Sequence, residues 1–234
     1  MRLGRRGERE RLLRQPLNAI FAAEANVRVL RVLVEHGDVL TAPEVAGRAR
    51  VTVQHARVVL ADLAAVGVGE EVGAGRYRSY RARPAYPLYP ALRALFEAER
   101  ERFEGVLAGI REAAQALEPR PRGVWLYGSV ARGEDRVGSD VDVAVAFDVA
   151  EVGEPVARLR AELLGVEDRF GVRISVVGLG SEDVLRVGAE DAWWGKLVAD
   201  AWTLAGLEPG TLLAQLQGKT TSARKVAERR TDRK

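Results

Sequence analysis

Val124-Trp125-Leu126-Tyr127 runs without a break into Gly128-Ser129, and after Val130 to Ser139 the chain continues Asp140-Val141-Asp142-Val143-Ala144-Val145. The apolar and aromatic run before Gly128 predicts a strand, and the stretch of about 141–147 predicts a second. Side chains alternate across a strand, so Asp140 and Asp142 point to one face, close together. Two like charges at that separation repel unless a cation lies between them, and a hard divalent ion such as Mg2+ (or Mn2+) suits their oxygens. Gly128-Ser129 stands where the first strand gives way to a helix. Glycine lets the backbone approach a phosphate closely, and the following N–H groups and the Ser129 hydroxyl donate to it. Arg132, one helical turn on, adds a charge-assisted contact. Donors for an anion beside carboxylates for its cation outline a nucleoside triphosphate site.

Gly-Ser, ten residues, then Asp-x-Asp, with Arg132-Gly133 and Ser139-Asp140 inside the string, resembles the signature of the DNA-polymerase-beta-like nucleotidyltransferase superfamily, minimal class. The resemblance implies that Gly128, Ser129, Arg132 and Ser139 bind the nucleotide and that Asp140 and Asp142 are catalytic metal ligands. It implies two metal ions that clamp a triphosphate while a hydroxyl attacks the α-phosphorus and pyrophosphate leaves. It also implies a third carboxylate on a later strand. In the matching stretch, Gly171-Val172-Arg173-Ile174-Ser175-Val176-Val177, that position holds Ser175. Serine is neutral and a weak base, so it replaces neither the charge nor the base. Asp148 has the right parity, but at ~3.3 Å per residue it lies about 20 Å beyond Asp142. Glu167 and Asp168, on the preceding helix, remain as candidates. Two functions stay open: a working nucleotidyltransferase, or a catalytically weakened, nucleotide-sensing transcriptional regulator.

The rest of this segment predicts a helix at 153–170, a strand at Val172–Val177 and helical stretches at 181–187 and 190–206. Trp193-Trp194 falls at helical spacing with Leu197, Val198, Ala201 and Trp202, which favours packing over a base-stacking platform.

Upstream, Val29, Leu30, Val32, Leu33 and Val34 give a helix that stops at His36-Gly37-Asp38. Thr41 before Pro43-Glu44 has the capping-box pattern, Thr52 caps a third helix with apolar Ala56, Val59, Leu60 and Leu63, and Gly67 ends it. Val68–Val72 and Arg76–Arg81, joined by Gly73-Ala74-Gly75, read as a hairpin. The run from Leu40 to Val72 resembles bacterial winged-helix regulators of the MarR and ArsR type. That resemblance implies double-stranded DNA as partner: Thr52, Gln54, His55 and Arg57 on the recognition helix, Arg76 and Arg78 on the wing.

Between the two segments, Leu92, Phe96, Glu99, Phe103, Val106, Ile110, Ala113 and Leu117 recur in steps of four and three. This stripe serves either as a homodimer seam or as packing for the chain's own domains. The expected class is therefore α+β. The expected order is a basic arm at 1–23, a winged helix-turn-helix at 24–90, a linker or dimerisation helix at 91–118, a small mixed-sheet polymerase-beta-like nucleotidyltransferase domain at 119–215 and a basic mobile tail at 216–234.

Composition narrows the classes further. The 234 residues are 47% hydrophobic and 29% charged, a globular balance that excludes extended disorder. Residues 1–14 carry +4 and 219–234 carry +5 against a chain total of +3, so the body between them is net negative. With no cysteine and two histidines, disulfides, thiolate zinc and cysteine nucleophiles drop out. No run reaches the roughly 18 apolar residues of a membrane span and no secretory leader is legible, so the expected location is the cytoplasm.

Overall fold

The computed structural model describes residues 14–73 and 78–219, which fall into two units that part between Glu101 and Arg102, inside one long helix. The first unit contains α1 (Leu17–Ile20), α2 (Glu24–His36), β1 (Leu40–Thr41), α3 (Ala42–Ala49), α4 (Val53–Val66), β2 (Gly69–Val72) and β3 (Ser79–Ala82). It is completed by the beginning of α5 (Tyr89–Gln115).

Local chemistry sets the ends of these helices. Gly37 and Gly67 close α2 and α4 in the left-handed conformation, with φ of 74° and 86°, which costs glycine nothing. At the start of α3 the Thr41 N–H and hydroxyl both donate to the Glu44 carboxylate at 2.7 Å, which holds that carboxyl below its ordinary range. Thr52 Oγ1 accepts from the His55 N–H at 3.2 Å and so caps α4. The helices bury Val29, Leu30, Leu33, Val45, Leu60 and Leu63 together with Leu92 and Phe96 of α5. The strands form an antiparallel sheet of order β1-β3-β2, with Leu40 opposite Tyr80 and Glu70 opposite Arg81. The sequence gives no sign of β1, because a two-residue strand carries no periodicity.

The second unit takes the rest of α5, then β4 (Gly123–Tyr127), α6 (Gly128–Ala131), β5 (Val141–Ala146), α7 (Gly153–Phe170) and β6 (Ile174–Leu179). It ends with α8 (Ser181–Glu190), α9 (Ala192–Asp200), β7 (Trp202–Gly206) and a helix described over residues 209–219, α10. The mixed sheet has the order β6-β5-β4-β7; β5 and β6 run parallel, joined by α7, and the other pairs are antiparallel. Its two faces follow strand parity. Val124, Leu126, Val143, Val145 and Val176 pack with α5 and α7 residues such as Val106, Ile110, Leu159 and Leu163. Trp125, Ala144, Ala146 and Leu179 pack with Val184, Trp194, Leu197, Leu212 and Leu216 from α8, α9 and α10. A Cβ at Gly105 would sit 2.6 Å from the Phe170 ring and one at Gly109 2.8 Å from Val166, so small residues on α5 let α7 close on it.

Three expectations change here. The stretch 190–206 is not one helix: Trp202–Gly206 is the strand β7, which takes the free edge of β4 and receives the Arg111 Nε–H on the Leu204 carbonyl at 2.8 Å. Helix α10 continues past Leu216, with Leu212 and Leu216 packed one turn apart and residues 217–219 still helical, while the rest of the expected tail, like the arm before residue 14, lies outside the described residues. The stripe on α5 is buried within the chain, Leu92 and Phe96 in one core and Val106 and Ile110 in the other, with Leu117 just past the helix end in the second, so it is not free to form a homodimer seam. Among the described residues no helix is long and apolar enough to cross a membrane.

Ile110 is fully buried and Leu164 is 59% exposed. Ile110→Ala is expected to cost about 2–5 kcal/mol and Leu164→Ala less than about 0.5 kcal/mol, measured by urea unfolding of the full chain. At the far end of β5, Asp148 accepts from Lys219 at 3.2 Å, from Ser181 Oγ at 3.1 Å and from Arg122 at 2.8 Å, and the Lys219 bond leads in holding its carboxyl below the ordinary value. A lowered folded-state pKa adds stability above the unfolded value and loses it as pH falls through the folded one. Asp148→Asn is therefore expected to lower Tm at pH 7, with the deficit shrinking below about pH 4.

Candidate functional site

The site forms where β4 ends and β5 begins. The antiparallel register sets Asp142 opposite Tyr127, so the turn at Gly128 lies directly against that carboxylate. Gly128 has φ of 77°, and a Cβ there would stand 2.3 Å from Asp142 Oδ2. Both the backbone conformation and the close approach demand glycine. Asp140 and Asp142 share the face that carries Trp125 and Ala144, at its open end. On the next strand Ser175 lies in register with Asp142, and Arg173, one step before Ile174, lies beside Asp140.

The electrostatics of the two acids differ. Burial first, and the charge of Asp140 second, push the Asp142 carboxyl above its ordinary value, while Arg132 opposes them. Asp140 Oδ1 is buried and accepts no hydrogen bond; Arg173 Nε lies 2.8 Å away as an ion pair off the bonding direction. Arg173 Nη2 also donates to the Gly138 carbonyl at 2.8 Å. Tyr127 next to the site has its phenol pushed up by burial and by Asp142, and the edge of Trp193 meets its ring with centroids 5.6 Å apart.

The expected phosphate-binding residues are placed unevenly. Gly128 and Ser129 open α6 beside Asp142, and their N–H groups lie in the first helical turn, where no intrahelical acceptor exists. The Ser129 carbonyl accepts from Glu134 N–H at 2.8 Å, which folds the following loop back on the turn. Arg132 donates from Nε to Glu134 at 2.8 Å and stands 4.0 Å from Asp200, so carboxylates of the chain already hold it. Ser139 Oγ accepts from the Arg136 N–H at 2.9 Å and closes a turn.

Among the described residues no third acid joins the pair. Glu167 accepts from the Ile174 N–H at 2.6 Å, Asp168 is exposed, and Asp148 is tied at the opposite end of β5. Among the described residues no group of three His, Asp or Glu side chains is arranged to hold a metal. The two that are present fit a hard cation: all donors are carboxylate oxygens, one is buried without a hydrogen bond, and the other loses stability by being charged there.

Thr52, Gln54, His55 and Arg57 are exposed along the first turns of α4, although the Thr52 hydroxyl is engaged in the cap. Arg78 pairs with Glu71 at 3.1 Å, and Arg76 lies outside the described residues. Trp194 is buried in the core against Trp125, centroids 6.0 Å apart, in line with the packing expectation. The sequence reading missed Arg173, Glu134 and Asp200 as neighbours of the site. For Arg173 a signal existed, since it alternates with Ser175 on the strand facing the two acids. Asp200 had none, because α9 reaches Arg132 only through tertiary packing.

Residues 107–189 match the family model described as "Nucleotidyltransferase domain". Among solved structures the chain is similar to a toxin–antitoxin with AMP-PNP, at 16% identity and a TM-score of 0.36, covering 54% of this chain and 95% of that one. It is similar also to the MntA-HpeT toxin–antitoxin in mutant form, at 15% identity and TM-score 0.36 over the same shares. No curated protein matches the chain.

Two outcomes test this geometry. Gly128→Ala is expected to destabilise the second unit by about 1–3 kcal/mol in urea unfolding, through strain and displacement of Asp142. Asp142→Asn removes a half-buried charge next to Asp140, so it is expected to raise Tm at pH 7 in metal-free buffer.

Proposed function

We propose that this chain is a nucleotide-responsive DNA-binding protein. Its second unit takes a nucleoside triphosphate with Mg2+ or Mn2+, and its first unit, read as a winged helix-turn-helix, takes double-stranded DNA. The observation that carries the nucleotide half is the contact of Asp142 with Gly128, which sets an ion-binding carboxylate against the turn that offers N–H groups to phosphate. The match of residues 107–189 to the nucleotidyltransferase domain supports the same reading.

When bound, the metal would neutralise triphosphate oxygens and lower the barrier to attack on phosphorus. Asp140 and Asp142 would hold it, and Gly128 and Ser129 would orient the phosphates. Arg132 sits close enough to Asp142 to influence its charge, and it meets the triphosphate only by loosening its pairing with Glu134. What the arrangement lacks is a base for an incoming hydroxyl. Ser175 holds the position opposite Asp142, and Glu167 is committed to the β6 backbone. Binding without efficient transfer is therefore the reading the geometry favours. A second reading, transfer of a nucleotidyl group to a hydroxyl acceptor, keeps the support of the intact Gly128-Ser129 turn and acid pair.

Titration calorimetry with ATP, CTP, GTP and UTP in Mg2+ or Mn2+ is expected to give saturable heat with at least one nucleotide, abolished by Asp142→Asn. Labelled nucleotide should release no pyrophosphate; label on any acceptor would establish the second reading instead. For the DNA half, affinity is expected to fall log-linearly with salt, by about 0.9 per phosphate neutralised, and Arg57→Ala should lower that slope by about one. Arg78→Ala should matter less, since Glu71 already neutralises it. DNA affinity that ignores both salt and the cognate nucleotide would overturn the regulatory reading.

A further inference from the structure

The register of β5 against β6 places on one face two pairs of neighbours: Asp142 with Ser175, and Asp140 with Arg173. The second pair carries its own cation. The Arg173 backbone is fixed, because its carbonyl accepts the Val141 N–H at 2.8 Å. Its guanidinium spans two groups, with Nε 2.8 Å from Asp140 Oδ1 and Nη2 donating to the Gly138 carbonyl. Asp140 Oδ1 is buried and receives no aligned hydrogen bond from this arginine or from any other described group. Arg173 therefore supplies charge to that oxygen without satisfying it. Its own side chain is 72% exposed, so it swings away at little cost. Asp142 faces neutral Ser175 in the register, and Arg132, which acts on its charge, is itself paired with Glu134.

We propose that Arg173 is a resident cation that occupies the Asp140 half of the acid pair and competes with divalent metal for it. The site then takes one divalent ion per chain, entering at Asp142 and displacing Arg173 from Asp140 as it settles. This inference rests on the metal–nucleotide reading above and adds to it a stoichiometry and a built-in competitor.

The test is Mn2+ binding without nucleotide, read from the free-ion electron paramagnetic resonance signal of the full-length protein. Wild type, Arg173→Met and Arg173→Lys are compared, with Tm confirming that each is folded. Wild type is expected to bind one Mn2+. Arg173→Met should bind it about fivefold more tightly, the ceiling for an exposed ion pair, and Arg173→Lys should stay near wild type. Equal or weaker binding by Arg173→Met, a second Mn2+ on wild type, or a lysine variant that behaves like methionine overturns the proposal alone. Absence of Mn2+ from both wild type and Arg173→Met overturns the metal–nucleotide reading along with it.

Discussion

A carboxylate pressed against a glycine is the constraint around which the second unit is organised. Asp142 is partly withdrawn from water, faces a like charge and leaves no room for a side chain at residue 128. An arrangement that opposes its own charge is stable only because the sheet beneath it is rigid. β5 lies between β4 and β6, and its Val143 to Ala146 are wholly buried by helices on both faces. The unfavourable electrostatics at the mouth are offset by that packing.

Charge at this mouth is distributed rather than concentrated. Arg132 leans on Glu134 and Asp200, Arg173 on Asp140 and the Gly138 carbonyl, and Ser139 closes its own turn. Arg132, Arg173 and Ser139 thus each have a partner in the chain, at the surface, while Asp140 Oδ1 accepts no hydrogen bond. Exposed pairs of this kind are weak, worth at most about 1 kcal/mol each. Under the proposed function, taking up a polyphosphate with its ion would exchange several weak internal partners for fewer strong ones.

The sequence made some of this legible and hid the rest for identifiable reasons. Helix limits at His36 and Val66 followed from glycines that accept a left-handed backbone, and the Gly128–Asp142 spacing announced both strands and the face their acids share. β7 was misread because Trp202-Thr203-Leu204 continues an apolar helical pattern; only the free edge of β4, invisible in one dimension, makes it a strand. The helix at 209–219 was lost for a similar cause, since Leu212 and Leu216 gain their value from Trp125 and Trp194 far away in the chain. At the site, identity was readable and partnership was not: Ser175 was found by position, whereas the pairing of Arg173 with Asp140 needed the register of a parallel strand.

The long helix α5 has a practical corollary for anyone who dissects the molecule. Because Leu92 and Phe96 fill one core while Val106, Ile110 and Ala114 fill the other, a boundary drawn at the prolines near residue 120 would strip the mixed sheet of one of the two helices that cover its valine face. Such a fragment would be sticky rather than informative. A cut between Glu101 and Arg102 leaves each half with its own apolar lining.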